Sequence, residues 1–186
     1  MKKIALSLAI IAVSLSAQAH TFSVKSRDMP AGKPLQNQQV FNGFGCAGEN
    51  QSPQLSWQGA PAGTKSFAIT AYDPDAPTGS GWWHWTVVNI PVNVHELATN
   101  AGQRSDNEAT GSLPQGVVQG RNDFGYAGFG GACPPAGDKP HRYQFTVWAL
   151  KTDKLPLNSD ASGALVGFML NSNVISKAEL VTTYGR

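Results

Sequence analysis

The sequence predicts a mainly β protein, and three observations carry that prediction. Short runs of alternating apolar and polar residues recur along the chain, each bounded by turn-forming residues. Aromatic and β-branched residues are concentrated in these runs. The 20 glycines and 12 prolines lie mostly between them, as is usual in a sheet protein with many turns.

Three runs are the strongest strand candidates. Residues 66–72 alternate and end at an Asp-Pro turn. Residues 83–90 are rich in aromatic and β-branched side chains, and residues 143–150 alternate Tyr, Phe, Val and Trp with polar or small residues. Shorter strands are expected near three further segments, which are residues 22–24, 40–41 and 55–57.

Two peripheral helices are predicted near the C-terminus. Ser162 is a suitable N-cap for a turn whose apolar residues run from Leu165 to Leu170. A second helix is predicted over residues 172–180, where Val174 and Ala178 are four positions apart. The apolar residues of both segments are expected to pack into the core.

The first 19 residues are predicted to be a secretory signal peptide. Residues 2–3 are lysines, residues 4–15 form an apolar run, and residues 17–19 form a small-x-small cleavage signal. The apolar run is too short to span a membrane, and no later run is longer. Cleavage after Ala19 leaves residues 20–186 as one domain, exported to the periplasm or secreted.

Charge argues against a nucleic-acid-binding function. The formal net charge of +2 comes from Lys2 and Lys3, so the chain after the signal peptide is near neutral. No run rich in lysine and arginine is present. Proteins that bind the phosphate backbone usually carry a basic surplus.

Cys46 and Cys133 are the only cysteines. Export to an oxidising compartment favours a disulfide between them, and two unpaired buried thiols are the alternative. Because no further cysteine or closely spaced histidine accompanies them, a metal site at these thiols is not expected. No cofactor is predicted.

Two segments far apart in the chain carry the candidate functional residues. Residues 73–77, Asp-Pro-Asp-Ala-Pro, lead towards His84, and residues 133–135, Cys-Pro-Pro, lead towards His141 and Tyr143. Each segment joins a proline-stiffened turn to a histidine near the start of a predicted strand, a position at which side chains can line the rim of a cavity. If the fold brings the segments together, a carboxylate, two imidazoles and a phenol form one binding pocket.

Such a pocket suits a phosphate or a carboxylate group. Imidazoles, most strongly when protonated, and the tyrosine hydroxyl are donors for an anion. The Asp73 carboxylate would repel an anion unless it holds an imidazole in place or shares a proton. Trp82 or Trp83 would supply aromatic walls. Taken singly, Asp73 is better explained as a turn former, and His84 is equally a core histidine with satisfied polar atoms. Tyr143 taken singly is a core residue whose hydroxyl is hydrogen-bonded.

Five motifs give the chain a family resemblance. They are residues 52–57 (Ser-Pro-Gln-Leu-Ser-Trp), 72–77 (Tyr-Asp-Pro-Asp-Ala-Pro), 84–89 (His-Trp-Thr-Val-Val-Asn), 134–135 (Pro-Pro) with 141–143 (His-Arg-Tyr), and 177–180 (Lys-Ala-Glu-Leu). In this order they resemble the phosphatidylethanolamine-binding proteins, also called Raf kinase inhibitor-like proteins. The resemblance covers nearly the whole chain after the signal peptide. Within the family, the chain is similar to the exported bacterial YbcL type.

The resemblance implies an antiparallel β-sandwich with an anion pocket. Its ligand would be a small anion or a phosphorylated or carboxylate group, and a protein partner is possible. The pocket residues that the motifs imply are Asp73, Ala76, Pro77, Trp82, His84, Pro134, Pro135, His141 and Tyr143. The glycine-rich residues 125–131 lack the Lys-Ser/Thr ending of a nucleotide-binding loop and are expected to form a flexible wall beside this pocket.

The leading functional hypothesis is a non-enzymatic binding or modulatory protein. One alternative is a hydrolase that uses Asp73, His84 and His141, either through a metal ion or through acid–base chemistry. Against it, the chain has no His-x-x-x-His motif and no Gly-x-Ser-x-Gly nucleophile motif. The other alternative is a secreted protein-interaction module, such as a protease inhibitor.

Overall fold

The computed structural model describes residues 21–30, 32–104 and 113–186. The predicted signal peptide and its cleavage site lie outside these ranges. The elements, in chain order, are β1 (Ser23–Lys25), a 3-10 turn (Asn37–Gln39), β2 (Asn42–Gly43), β3 (Cys46–Ala47), β4 (Leu55–Gln58), β5 (Ser66–Asp73), β6 (Trp82–Pro91), β7 (Glu96–Leu97), β8 (Val118–Gln119), β9 (His141–Leu150), α1 (Gly163–Asn173) and β10 (Val174–Tyr184).

These strands form an antiparallel sandwich with a helix on one outer face, which confirms the predicted fold class. The larger sheet has the order β10-β9-β5-β6-β8, and the smaller sheet has the order β1-β4-β7. The pair β2-β3 is a separate hairpin. The two sheets pack face to face, as shown by the edge-on contact between Trp57 of β4 and Phe67 of β5, with ring centroids 5.5 Å apart.

The two faces of β5 explain why this strand is buried along almost its whole length. Phe67, Ile69 and Ala71 point into the core between the sheets. Ala68 lies on the opposite face, in a second apolar cluster with Val166 of α1. Because side chains alternate along a strand, a sheet covered on both faces needs apolar or satisfied residues at every position.

Helix α1 begins as the sequence predicts. The Ser162 side chain accepts a hydrogen bond from the backbone N–H of Leu165 and caps the first turn. Gly163 lies against Trp83, whose ring occupies the space that a Cβ would need. The core prediction for this segment is wrong in part, because Leu165 and Phe168 are exposed while Val166 is buried.

The second predicted helix is wrong. Residues 174–184 form strand β10, which pairs antiparallel with β9 from Val174 opposite Leu150 to Tyr184 opposite His141. The apolar spacing of this segment fits either a helix or a strand. The free edge of β9 decides the outcome, because pairing there satisfies backbone groups along the whole segment.

The short strands lie at or close to the segments predicted for them. Strands β1 and β4 lie at or beside the segments predicted near residues 22–24 and 55–57. The strand predicted near residues 40–41 begins directly after them, as β2 at Asn42, and Val40 itself makes an isolated bridge to Ala132.

Within the described ranges, no helix is long and apolar enough to cross a bilayer.

Cys46 and Cys133 form the predicted disulfide. The bond ties the β2-β3 hairpin to the loop that precedes β9, across a sequence separation of 87 residues. A covalent link that closes so long a loop stabilises the folded state mainly by restricting the unfolded chain.

Removal of the disulfide tests this stabilisation. We expect the double variant Cys46→Ala/Cys133→Ala to lower the free energy of unfolding by about 2–4 kcal/mol. Urea unfolding of the wild type, with and without a reducing agent, provides the comparison, since reduction of the wild type should reproduce the loss. An unchanged denaturation midpoint in the double variant would contradict the expectation.

Candidate functional site

A cavity of about 210 Å³ opens at the end of the larger sheet where β5 ends and β6 and β9 begin. Antiparallel pairing brings these three strand ends together. The cavity is lined by Phe44, Asp73, Ala76, Pro77, Thr78, Trp82, His84, Phe124, Cys133, Pro134, Pro135, His141 and Tyr143. All nine residues that the sequence singles out therefore surround one cavity, although whether they bind a ligand stays a prediction.

Asp73 is both a turn former and a partner for an imidazole. Its Oδ1 accepts hydrogen bonds from the backbone N–H groups of Asp75 (2.8 Å) and Ala76 (3.1 Å). Its Oδ2 lies 2.7 Å from Nδ1 of His141. The carboxylate is buried and fully engaged, so it holds the turn and the histidine in place.

The neighbouring turn residue Asp75 ties this turn to β9. Its carboxylate accepts hydrogen bonds from the backbone N–H of Arg142 at 2.9 Å and from the Arg142 side chain, whose Nη2 lies 2.6 Å from Oδ1. The Arg142 guanidinium lowers the pKa of Asp75 to about 2. The pair is largely exposed, and it keeps the Arg142 charge outside the cavity.

His141 lies between two carboxylates. Its Nδ1 contacts Asp73, and its Nε2 lies 3.3 Å from Oδ2 of Asp138. Burial alone would lower the pKa of His141, but the hydrogen bonds and charges of Asp73 and Asp138 outweigh it and raise that pKa. This histidine therefore favours the doubly protonated form.

His84 has the opposite preference. Its Nδ1 lies 2.7 Å from the carbonyl oxygen of Gly130. Burial lowers the pKa of His84, and the Gly130 carbonyl and the charge of Asp73 only partly oppose this effect. The expectation that both imidazoles act as protonated donors to a guest is therefore not supported at His84. At His141 both ring nitrogens already face carboxylates.

Three buried polar atoms of the cavity residues lack a hydrogen-bond partner within the described part of the chain. They are Nε1 of Trp82, Nε2 of His84 and the hydroxyl of Tyr143. Burial, followed by the charge of Asp73, raises the pKa of Tyr143, so the phenol keeps its proton. The edge of His84 packs against the Tyr143 ring, with centroids 5.2 Å apart.

Two aromatic residues complete the cavity wall, and the sequence did not single them out. Phe124 stacks on Phe41 with ring centroids 4.2 Å apart, and it meets Trp82 edge-on. Phe44 lies at the mouth and is 71% exposed. The sequence offered one signal for Phe44. It lies two residues before Cys46, and the predicted disulfide partner of Cys46 directly precedes the Pro-Pro motif, so the disulfide places Phe44 near the pocket.

The glycine-rich run does not form the flexible wall that the sequence predicts. None of residues 125–131 lines the cavity, and Gly130 and Gly131 are buried. A Cβ on Gly130 would overlap the ring of Phe124, and one on Gly131 would overlap the backbone of Gln39 and Phe41. The run therefore acts as a packed support that positions Phe124 and the Gly130 carbonyl.

The metal-assisted alternative finds no support in the geometry. Across residues 21–30, 32–104 and 113–186, no group of three or more His, Cys, Asp or Glu side chains is placed to hold a metal ion. Asp73 and His141 bind each other, whereas His84 is directed at Gly130.

The family can be decided once the cavity is described. The sequence profile for phosphatidylethanolamine-binding protein matches residues 25–185, which include every cavity residue. The chain belongs to this family. The resemblance expected from the sequence motifs is thereby confirmed.

Relatives within the phosphatidylethanolamine-binding protein family cover most of the chain. The UPF0098 protein YbcL of Escherichia coli strain K12 is 60% identical over 184 residues, which are 99% of this chain and 98% of YbcL. The crystal structure of E. coli YbcL, described as a new member of the mammalian family, superposes with a TM-score of 0.85 at 62% identity, over 90% of this chain and 99% of that one.

Two further relatives are more distant. The UPF0098 protein YbhB of E. coli strain K12 is 46% identical over 159 residues, which are 86% of this chain and 97% of YbhB. A protein of Mycobacterium tuberculosis named putative lipoprotein LppC is 34% identical over 141 residues, which are 76% of this chain and 63% of LppC.

The raised pKa of His141 predicts how stability depends on pH. A group whose pKa is higher in the folded than in the unfolded state contributes stability that is complete below the unfolded pKa, about 6.5 for histidine, and that is lost as pH rises through the folded pKa. We therefore expect His141→Gln to lower the free energy of unfolding more at about pH 6 than at about pH 9. Urea unfolding at the two pH values measures both losses.

Asp138→Asn provides a milder variant for the same measurement, because Asp138 is partly exposed and its replacement leaves the Asp73 contact intact. It should weaken the pH dependence of the wild type between these two pH values. Equal losses at both pH values for His141→Gln would show that the carboxylates do not stabilise a protonated ring.

Proposed function

We propose that this protein binds a small oxyanion, a phosphate or carboxylate group, in the cavity, and that it is a non-enzymatic binding or modulatory protein. The observation that carries the proposal is the set of unpartnered polar atoms on Trp82, His84 and Tyr143. A buried polar group left without a partner destabilises a protein by about 1–3 kcal/mol. The oxygen atoms of a bound anion would accept hydrogen bonds from the donors among these atoms.

The surroundings of the cavity support binding of an oxyanion in two ways. The charge of Asp73 is balanced by His141 through a 2.7 Å contact, which reduces repulsion of an anion. The rings of Trp82 and Phe124 form a largely apolar wall that would exclude water around the polar atoms.

Two cavity side chains of a type that can act as nucleophiles, Thr78 and Cys133, are already engaged. The Thr78 hydroxyl donates to the carbonyl oxygen of Gly81, and the Cys133 sulfur is held in the disulfide. Neither is a free nucleophile beside a histidine, which acyl or phosphoryl transfer through the protein would need.

The position of Phe44 suggests what kind of group is attached to the bound anion. Its exposed ring lies at the cavity mouth, where it would contact whatever is attached to the bound anion. This position suits an apolar group on a small ligand, or a side chain of a protein partner that carries the anionic group.

Export is part of the proposal. The predicted signal peptide provides the route, and the disulfide between Cys46 and Cys133 suits an oxidising compartment. The relative LppC is named a putative lipoprotein, which also supports a location outside the cytoplasm.

A pair of adjacent tryptophans tests the proposed site. Trp82→Phe removes one indole donor from the cavity, and we expect the affinity for inorganic phosphate to fall about tenfold, as for a lost hydrogen bond to a charged group. Trp83→Phe is the matched control, because Trp83 packs against Tyr72 and α1 instead.

Isothermal titration calorimetry of the three proteins with phosphate measures the difference. The proposal requires weakened binding in Trp82→Phe and near wild-type binding in Trp83→Phe. Absence of phosphate binding by the wild type, or an equal effect of the two substitutions, would contradict it.

A further inference from the structure

The backbone around His84 fixes which of its ring nitrogens carries a proton. The carbonyl oxygen of Gly130 lies 2.7 Å from Nδ1, and a carbonyl oxygen can only accept a hydrogen bond. Nδ1 must therefore be the donor. In the neutral ring the other nitrogen, Nε2, then carries a lone pair and acts as an acceptor.

The groups that face His84 leave the ring neutral. Asp73 from β5 and Asp123 from the loop after β8 are the nearby carboxylates that favour a charged ring. His141 of β9 is paired with Asp73, and Tyr143 of the same strand contributes a neutral phenol. Burial outweighs the carboxylates and lowers the pKa of His84.

The other two unpartnered atoms of the cavity residues can donate a hydrogen bond. Nε1 of Trp82 can only donate, and the hydroxyl of Tyr143 keeps its proton because burial raises its pKa. The residues that line the cavity therefore carry two groups that can donate, on Trp82 and Tyr143, and one atom that can only accept, Nε2 of His84. Sulfate, and any other oxyanion without a proton, can match only the donors.

We propose that the cavity selects oxyanions that still carry an acid proton, such as hydrogen phosphate or the monoanion of a phosphate monoester. The proton of the guest would be donated to Nε2 of His84, while its other oxygens accept from Trp82 and Tyr143. This inference rests on the proposed function and adds specificity to it.

Guests without an acid proton meet an unfavourable contact. A sulfate ion or a phosphate diester would place an oxygen lone pair against the lone pair of Nε2. A site built to accept a hydrogen bond rejects a guest that lacks the donor, since its own buried acceptor is then left unpaired. The same chemistry separates free phosphate and monoesters from the diester group of a phospholipid.

Calorimetry on the wild-type protein with matched anions tests the proposal. The probes are inorganic phosphate, sulfate, methyl phosphate and dimethyl phosphate. At about pH 7 we expect inorganic phosphate to bind at least about tenfold more tightly than sulfate. Methyl phosphate should gain affinity as pH falls towards its second pKa of about 6, where it acquires its proton. Dimethyl phosphate should bind as weakly as sulfate.

The outcomes separate this inference from the proposed function. Equal affinities for phosphate and sulfate would overturn the inference and leave the proposed function standing. Absence of binding for all four probes would overturn both. Ethanolamine serves as a fifth probe. Tighter binding of ethanolamine than of phosphate would show that Nε2 of His84 accepts from an ammonium group, and it would overturn the inference.

His84→Gln adds a test that acts on the acceptor. A glutamine amide can present either its oxygen or its NH₂ group, so the ratio of phosphate to sulfate affinity should fall towards one. Trp82→Phe is the comparison, because it should weaken both anions and preserve the ratio. An unchanged ratio in a folded His84→Gln protein would overturn the inference, and the wild-type series decides alone if that variant does not fold.

Discussion

The pairing of β5 between β6 and β9 fixes the position of the cavity groups. Asp73, the last residue of β5, pairs with Trp82, the first residue of β6, and Tyr72 pairs with Gln144 of β9. Because β5 is buried on both faces, a shift of one residue would exchange the contents of two apolar clusters. The packing of the sandwich thus holds the carboxylate of Asp73 beside His141.

Two histidines in one cavity acquire opposite chemical character from their surroundings. His141 lies between the carboxylates of Asp73 and Asp138 and favours the cation. His84 faces the Gly130 carbonyl among aromatic rings and favours the neutral form. The cavity therefore combines the ion pair of Asp73 and His141 with uncharged polar groups, and the proposal of an anion that brings its own proton follows from this combination.

The sequence predicts nine of the residues that line the cavity because its motifs lie at strand ends. The Asp-Pro-Asp-x-Pro and Pro-Pro segments place their side chains at one end of the sheet once the strands pair. Phe44 and Phe124 could not be found in this way, because a disulfide and a glycine run bring them to the cavity. The segment that became β10 fits two periodicities, and only the free edge of β9 selects the strand. The difference between His84 and His141 depends on a backbone carbonyl, which no residue type reveals.

The protonation state of His84 is the claim from which the proposed specificity of the cavity follows, and nitrogen NMR of its imidazole measures that state directly. In protein labelled with ¹⁵N at histidine, long-range proton–nitrogen correlations at neutral pH should show a protonated Nδ1 and an unprotonated Nε2 for His84, with both nitrogens of His141 more extensively protonated. A His84 ring that carries its proton on Nε2, or on both nitrogens, would contradict this account.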